Sequence, residues 1–415
     1  MISFKSTWKW LLVILSMYCF GQWSHAEESP GQLNIFETRH YTLRTDLDED
    51  TAKALGVHMD TVFDAYRSMF SNFKGRIDSR LEAYVFSTKQ LYITFLRSTF
   101  GVDGTGSGGM FLHNGDRSVI AAWTGSRGMR STRSILQHEG FHQFANVLFP
   151  DLPVWANEGF AELFGAGCMV TGEFWVGAVP SSWLGKLKTA RANDALIPFQ
   201  DFFTMDSGSW SHHVTSGSAS LNYTQAWSLA HFFLYAQDAR WQKQFLSFLD
   251  LLNRGAAWEA AFRQVFGTSE YVMIQDAYLK WLDDARPVDH RAIIHELEIL
   301  ATGMFWLNQQ GVYPNSLQSL WSQLKSRGFS FVSTLFSDSR TLDPSDPVLL
   351  SLPLGGTGDT PRIALADDRG DVFTGAAPGG NRPWNIRTVN LEPFDLIVEW
   401  TIPRKGTPTF RLWHE

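Results

Sequence analysis

The chain has 415 residues, of which 44% are hydrophobic, 14% aromatic and 19% charged. That composition excludes a disordered or fibrous protein, and the length exceeds what one core usually spans, so two or more structural units are expected. The net charge of -7 offers no basic field for nucleic acid or for an anionic lipid surface, so neither is expected as a partner.

Lys5 and Lys9 precede an apolar run over residues 10–20, followed by Ser24, His25, Ala26 and the polar Glu27-Glu28-Ser29-Pro30. This order of charge, apolar run and small residues is that of a secretory signal peptide, and cleavage is predicted after Ala26. The run is shorter than the ~20 residues needed to span a bilayer. The mature chain, starting at Glu27, is therefore expected to be secreted or periplasmic without membrane insertion. Cleavage removes Cys19 and leaves Cys168 as the single cysteine, so no intramolecular disulfide is possible and stability must come from the core. Cys168 itself reads as a buried apolar residue.

Residues 38–45 alternate as a strand, residues 51–70 repeat apolar side chains at helical spacing, and residues 81–86 again read as a strand. A glycine-rich stretch at 101–109 leads into two further strands, 110–111 and 118–123, with a hairpin turn predicted around Asn114-Gly115. These elements predict a small mixed α/β subdomain over 27–130. From 131 to 286 the pattern becomes helical, with helices predicted at 131–148, 154–164, 223–236, 241–252, 258–266 and 269–283. Residues 207–220, rich in Ser, Gly and His, read as a loop bordering a cleft. Trp227, Phe232, Phe233, Trp241, Phe245 and Phe248 recur at helical spacing and are assigned to the core. Beyond Pro287, helices at 291–309 and 316–326 are followed by a Pro-, Gly- and Asp-rich stretch at 343–380 and a strand at 395–402. This is read as an accessory α+β unit over 287–415, available to bind a partner that the sequence does not identify. The whole is assigned to the α+β class.

Within the predicted helix 131–148 stands His138-Glu139-Gly140-Phe141-His142. Two histidines four residues apart share one helix face and can grip one ion, while the intervening glutamate can take a proton from a water bound there. A catalytic zinc needs a third protein ligand and an open position. After Pro150 and Pro153 comes Trp155-Ala156-Asn157-Glu158-Gly159-Phe160-Ala161-Glu162, a short helix able to fold back and present Glu158. Glu162, one turn further on, is assigned to orienting a ligand histidine, with a reserve role as third ligand.

The pair of motifs HEGFH and NEGFAE resembles the zinc helix and glutamate helix of the gluzincin peptidases, including the M1 aminopeptidases. The wider layout, with Tyr223-Thr224-Gln225-Ala226-Trp227 leading a later helix, is similar to the DUF1570-like members of the peptidase MA clan. The resemblance spans residues 36–284 and implies one zinc per chain and peptide or protein substrates. It also implies a tyrosine, here Tyr223, that donates to the oxyanion; His212 and His213 are alternative donors. The exopeptidase motif of M1 is not present as such, so aminopeptidase specificity does not follow.

The resulting expectation is an exported zinc peptidase that hydrolyses peptide bonds with a zinc-activated water and Glu139 as general base. The alternative is a zinc-binding pseudopeptidase acting as an extracytoplasmic binding module, against which an intact Glu139 argues.

Overall fold

The structure, a computed structural model, describes residues 33–114, 117–236, 239–267, 271–336, 339–346, 349–367, 369–378, 384–401 and 409–414. The predicted signal peptide lies outside the described residues, as does Gly115 of the predicted hairpin turn. The fold is α+β. The chain divides into two compact units, one comprising the residues to Gly167, Phe174–Val176 and Ser182–Ala285, the other Cys168–Glu173, Gly177–Ser181 and Arg286–Glu415.

The first unit opens with β1 (Asn34–Glu37), β2 (Tyr41–Thr45), α1 (Glu49–Met69), β3 (Leu81–Phe86), α2 (Lys89–Phe100), β4 (Gly109–Asn114) and β5 (Arg117–Trp123). The strands form one sheet in the order β1-β2-β3-β5-β4, parallel at its centre and antiparallel at both edges. β3 is buried along nearly its whole length, as expected of a central strand with helices on both faces. Of the strand predicted at 38–45, residues 41–45 form β2, while residues 38–40 form the turn that joins it to β1. The Asp60 carboxylate of α1 accepts from the Thr38 hydroxyl and from the backbone N–H of Arg39 and His40, and these bonds hold the turn that precedes β2. α2 was not predicted, although Thr88 caps its start and Gly101 closes its end at φ 69°.

The helical part follows as α3 (Gly128–Leu148) and α4 (Val154–Gly165); two short strands come next in the chain, β6 (Cys168–Val170), which belongs to the second unit, and β7 (Glu173–Trp175), and then α5 (Ser181–Ala192), α6 (Phe199–Phe203), α7 (Ser207–Thr215), α8 (Ala219–Tyr235), α9 (Ala239–Asn253), α10 (Trp258–Phe266) and α11 (Tyr271–Asp284). The predicted loop at 207–220 is thus largely a helix, started by Asp206, whose carboxylate accepts the Ser209 N–H at 2.7 Å. Its Ser, Gly and His content disguised it. Cys168, predicted as buried, is only half-buried, because the three-residue β6 gives little cover. The six aromatics assigned to the core are all buried. Phe233 and Phe245 stack at 4.7 Å, and burying such a ring stabilises the fold by about 1.5–3 kcal/mol.

The second unit contains α12 (His290–Gln309), α13 (Leu317–Ser326), a small hairpin of β8 (Phe331–Ser333) and β9 (Arg340–Leu342), and the strands β10 (Arg362–Ala366), β11 (Asn385–Val389), β12 (Leu396–Thr401) and β13 (Thr409–His414). The last four form an antiparallel sheet in chain order, against which α12 packs through β11 and β12.

α12 carries two buried carboxyls. Glu296 accepts backbone N–H groups of Ser351 and Leu352, and Glu298 accepts the Ser333 hydroxyl at 2.6 Å. Burial pushes each up to about 7 despite these bonds. Because the folded value lies above the unfolded one, each group contributes stability that is full below about pH 4.5 and lost as pH rises through about 7, by roughly 2–3 kcal/mol per group. Denaturant unfolding of the full chain is therefore expected to show Glu298→Gln gaining stability relative to wild type between pH 5 and pH 8. A difference between the two that does not change over that range would show that Glu298 titrates as an ordinary exposed acid.

Candidate metal centre

α3 lies against the sheet with Leu136, Phe141, Phe144, Ala145 and Leu148 buried. Its buried Gln143 donates from Nε2 to the carbonyls of Glu82 and Ser118, at 3.2 and 2.9 Å, which fixes the helix on β3 and β5. With that face committed, His138 and His142, one turn apart, point from another side of the helix toward α4. The link from α3 to α4 contains Pro150, and Pro153 stands at the N-cap of α4, so the chain reverses at once and α4 packs on α3. Trp155, Phe160 and Phe164 bury the far side of α4, leaving Glu158 and Glu162 to face the histidines.

His138 Nε2 and His142 Nε2 lie 3.1 Å apart, and Glu158 Oε2 lies 3.4 Å from the first and 3.5 Å from the second. Three atoms bound to one tetrahedral ion at the usual zinc distances would be separated by about 3.3–3.5 Å, as the tetrahedral angle requires. The triangle therefore has the size of one face of a zinc coordination shell. Two further observations fit that ion. Glu158 Oε2 is buried and makes no hydrogen bond of normal geometry, which is costly for a carboxylate without a cation beside it. The second nitrogens are also engaged: His142 Nδ1 donates to Asn157 Oδ1 at 3.0 Å, and His138 Nδ1 faces Glu162 Oε1 at 3.5 Å. These contacts turn both Nε2 lone pairs into the triangle.

The electrostatics point the same way. Burial alone would suppress the charged form of His138, yet the nearby Glu158 carboxylate and the charges of Glu162 and Glu139 hold it well above its ordinary value. Burial likewise disfavours ionised Glu158, but His142 and His138 hold it at about 2. Positive charge is thus strongly favoured between these three residues, supplied by protons or by a metal cation. Among the described residues, His138, His142 and Glu158 are the one group of three His, Cys, Asp or Glu side chains whose donor atoms converge closely enough to hold a metal ion. Two imidazoles and a carboxylate form a donor set suited to zinc.

Glu139 lies next to the edge strand β4. A Cβ built on Gly109 would stand 3.3 Å from Glu139 Cγ and 2.4 Å from Ile135 Cγ2, so a side chain there would force β4 away from the helix. The Trp123 N–H donates to the Gly108 carbonyl. In the observed register, Met110 and Leu112 then bond β5, while Gly109, Phe111 and His113 turn their N–H and C=O toward the open edge. Phe111 also lies near His142, its ring centroid 6.5 Å from that of the imidazole.

Tyr223 sits in the first turn and a half of α8, not at its opening as predicted, with its ring 6.3 Å from that of His138. The buried Trp210 of α7 meets Tyr223 edge-on at 5.2 Å. Burial, then the charge of Glu158, holds the phenol well above its ordinary value, so it is a neutral donor at neutral pH. The alternative donors are placed elsewhere: His212 is exposed, and His213 pairs through Nδ1 with Asn222 at 2.8 Å. Sequence reasoning missed Asn157 and Trp210. Asn157 could have been found, since it directly precedes the candidate ligand Glu158, whereas Trp210 lies in the stretch read as loop.

Over residues 132–255 the chain matches the model of a family described as a protein of unknown function, DUF1570. That stretch begins on α3, ends after α9 and contains the three convergent side chains together with Glu139, Glu162 and Tyr223. A search of curated proteins finds no match.

Proposed function

We propose that this chain is an exported zinc-dependent peptidase, with His138, His142 and Glu158 as the metal ligands and Glu139 as the general base. The reading is supported above all by the triangle of donor atoms, 3.1 to 3.5 Å on a side, closed by a buried carboxylate oxygen that has no other partner. A zinc ion held there would supply Lewis acidity, polarising a carbonyl and making a water acidic enough to give up a proton near neutral pH.

The remaining steps fall to the chain's own groups. Glu139 takes a proton from the attacking water as its oxygen bonds to the carbonyl carbon. It then delivers that proton to the leaving nitrogen as the C–N bond breaks, so water and peptide become one acid and one amine. Tyr223, kept protonated by its burial, donates to the carbonyl oxygen as negative charge builds there. The outward N–H and C=O groups of Gly109, Phe111 and His113 favour an extended peptide as substrate, because a strand laid along β4 satisfies them. Gly109 allows that strand edge to lie close to Glu139.

The test is metal analysis of the purified chain combined with cleavage of a diverse peptide library. About one zinc per chain and zinc-dependent cleavage are expected. A preparation that stays metal-free after zinc addition at neutral pH would refute the metal centre, and zinc binding without any cleavage would favour the binding-module reading.

A further inference from the structure

The helix that carries both histidines is held from behind at the turn that contains His138. The Tyr66 hydroxyl of α1 donates to the Gln137 carbonyl, which already accepts an N–H within the helix and so uses its second lone pair. Its ring is wedged between α3 and α4, at 5.5 Å from Phe144, 5.9 Å from Phe141 and 4.6 Å from Phe164. Tyr66 is fully buried, and Tyr41 is buried beside it. A Cβ built on Gly140 would stand 3.1 Å from the Tyr66 hydroxyl and 3.5 Å from that of Tyr41. Gln137 and Gly140 bracket His138 and Glu139 in sequence, so the phenol bonds the helix backbone on one side of this pair and crowds the Cβ position of the residue on the other.

We infer that Tyr66 is a positioning residue of the metal centre, and that the Tyr66 hydroxyl crowds position 140 closely enough that a side chain there would push it, and its bond to Gln137, out of place. The inference rests on the metal-site reading of His138, His142 and Glu158. The hydroxyl fixes how far the turn 137–140 stands from α1, and with it the direction in which both Nε2 atoms point.

Zinc affinity, read by chelator competition, and the visible absorption of the cobalt-substituted protein test this in a double-mutant cycle. Tyr66→Phe keeps the ring and loses the hydroxyl; it is expected to weaken zinc binding roughly tenfold, as loss of an outer partner does, and to shift the cobalt spectrum. Gly140→Ala is expected to weaken binding too. The double variant should bind no worse than Tyr66→Phe alone, because the new methyl enters the vacated space. A merely structural tyrosine would lower thermal stability and leave affinity and spectrum as in wild type, and that result overturns the inference. Additive losses in the double variant overturn the account of Gly140. If Gly140→Ala does not fold, Tyr66→Phe decides by affinity and spectrum. Wild type that binds neither zinc nor cobalt fails at the earlier step, the metal centre itself.

Discussion

Glu139→Gln is expected to keep both fold and zinc while peptide hydrolysis falls by about 10²–10⁴-fold, the usual contribution of a positioned general base. The substitution preserves the shape of a side chain that is in close quarters with Gly109 and Ile135, so packing between α3 and β4 should be undisturbed. What changes is chemistry: an amide oxygen does not accept the water's proton, and an amide nitrogen offers the wrong group to the leaving amine. The three donor atoms of the metal triangle belong to other residues, which is why metal content should not follow activity. Zinc content by elemental analysis and initial cleavage rates on the best library peptide check both halves. Equal cleavage by wild type and Glu139→Gln would remove Glu139 from the mechanism.

The convergence of the candidate site residues was legible in the sequence because their spacing is dictated by one helical turn. His138 and His142 must share a face of α3, and Glu158 and Glu162 likewise share a face of α4. Prolines between the two helices signal a reversal. The candidate donor on α8 was only partly legible. Tyr223 could be picked by resemblance, but its support by Trp210 depends on α7, whose polar composition reads as a loop until the Asp206 cap is recognised. The turn at 38–40 was hidden for a related reason: the carboxylate that holds it, Asp60, lies some twenty residues along the chain. In the second unit, β12 was read from its alternation. The antiparallel sheet around it was not, because its pairing is long-range and the intervening stretch is dominated by loop-forming residues. Tyr66 shows what periodicity hides altogether. Its place in the apolar face of α1 marks it as core, and only the structure brings its hydroxyl to the Gln137 carbonyl.

His138→Ala and His142→Ala are each expected to remove stoichiometric zinc, and Glu158→Gln to weaken its binding severely. Each alanine deletes one corner of a triangle in which no other His, Cys, Asp or Glu among the described residues stands ready to substitute; Glu162 faces His138 from its Nδ1 side, away from the two Nε2 atoms. Glutamine at 158 retains an oxygen, but a neutral one, which is the poorer ligand. The consequence extends to stability. Without an ion, protonated His138 and ionised Glu158 still compensate one another, so metal-free wild type should remain folded. Zinc at a thousandfold excess over its Kd would add about 4 kcal/mol, or roughly ten degrees in Tm for a unit of this size. Melting with and without a chelator separates the cases: wild type should lose those degrees when zinc is withdrawn, whereas His138→Ala and His142→Ala should melt at the same temperature in both conditions. A chelator-dependent shift as large in His138→Ala as in wild type would place the metal somewhere other than between α3 and α4.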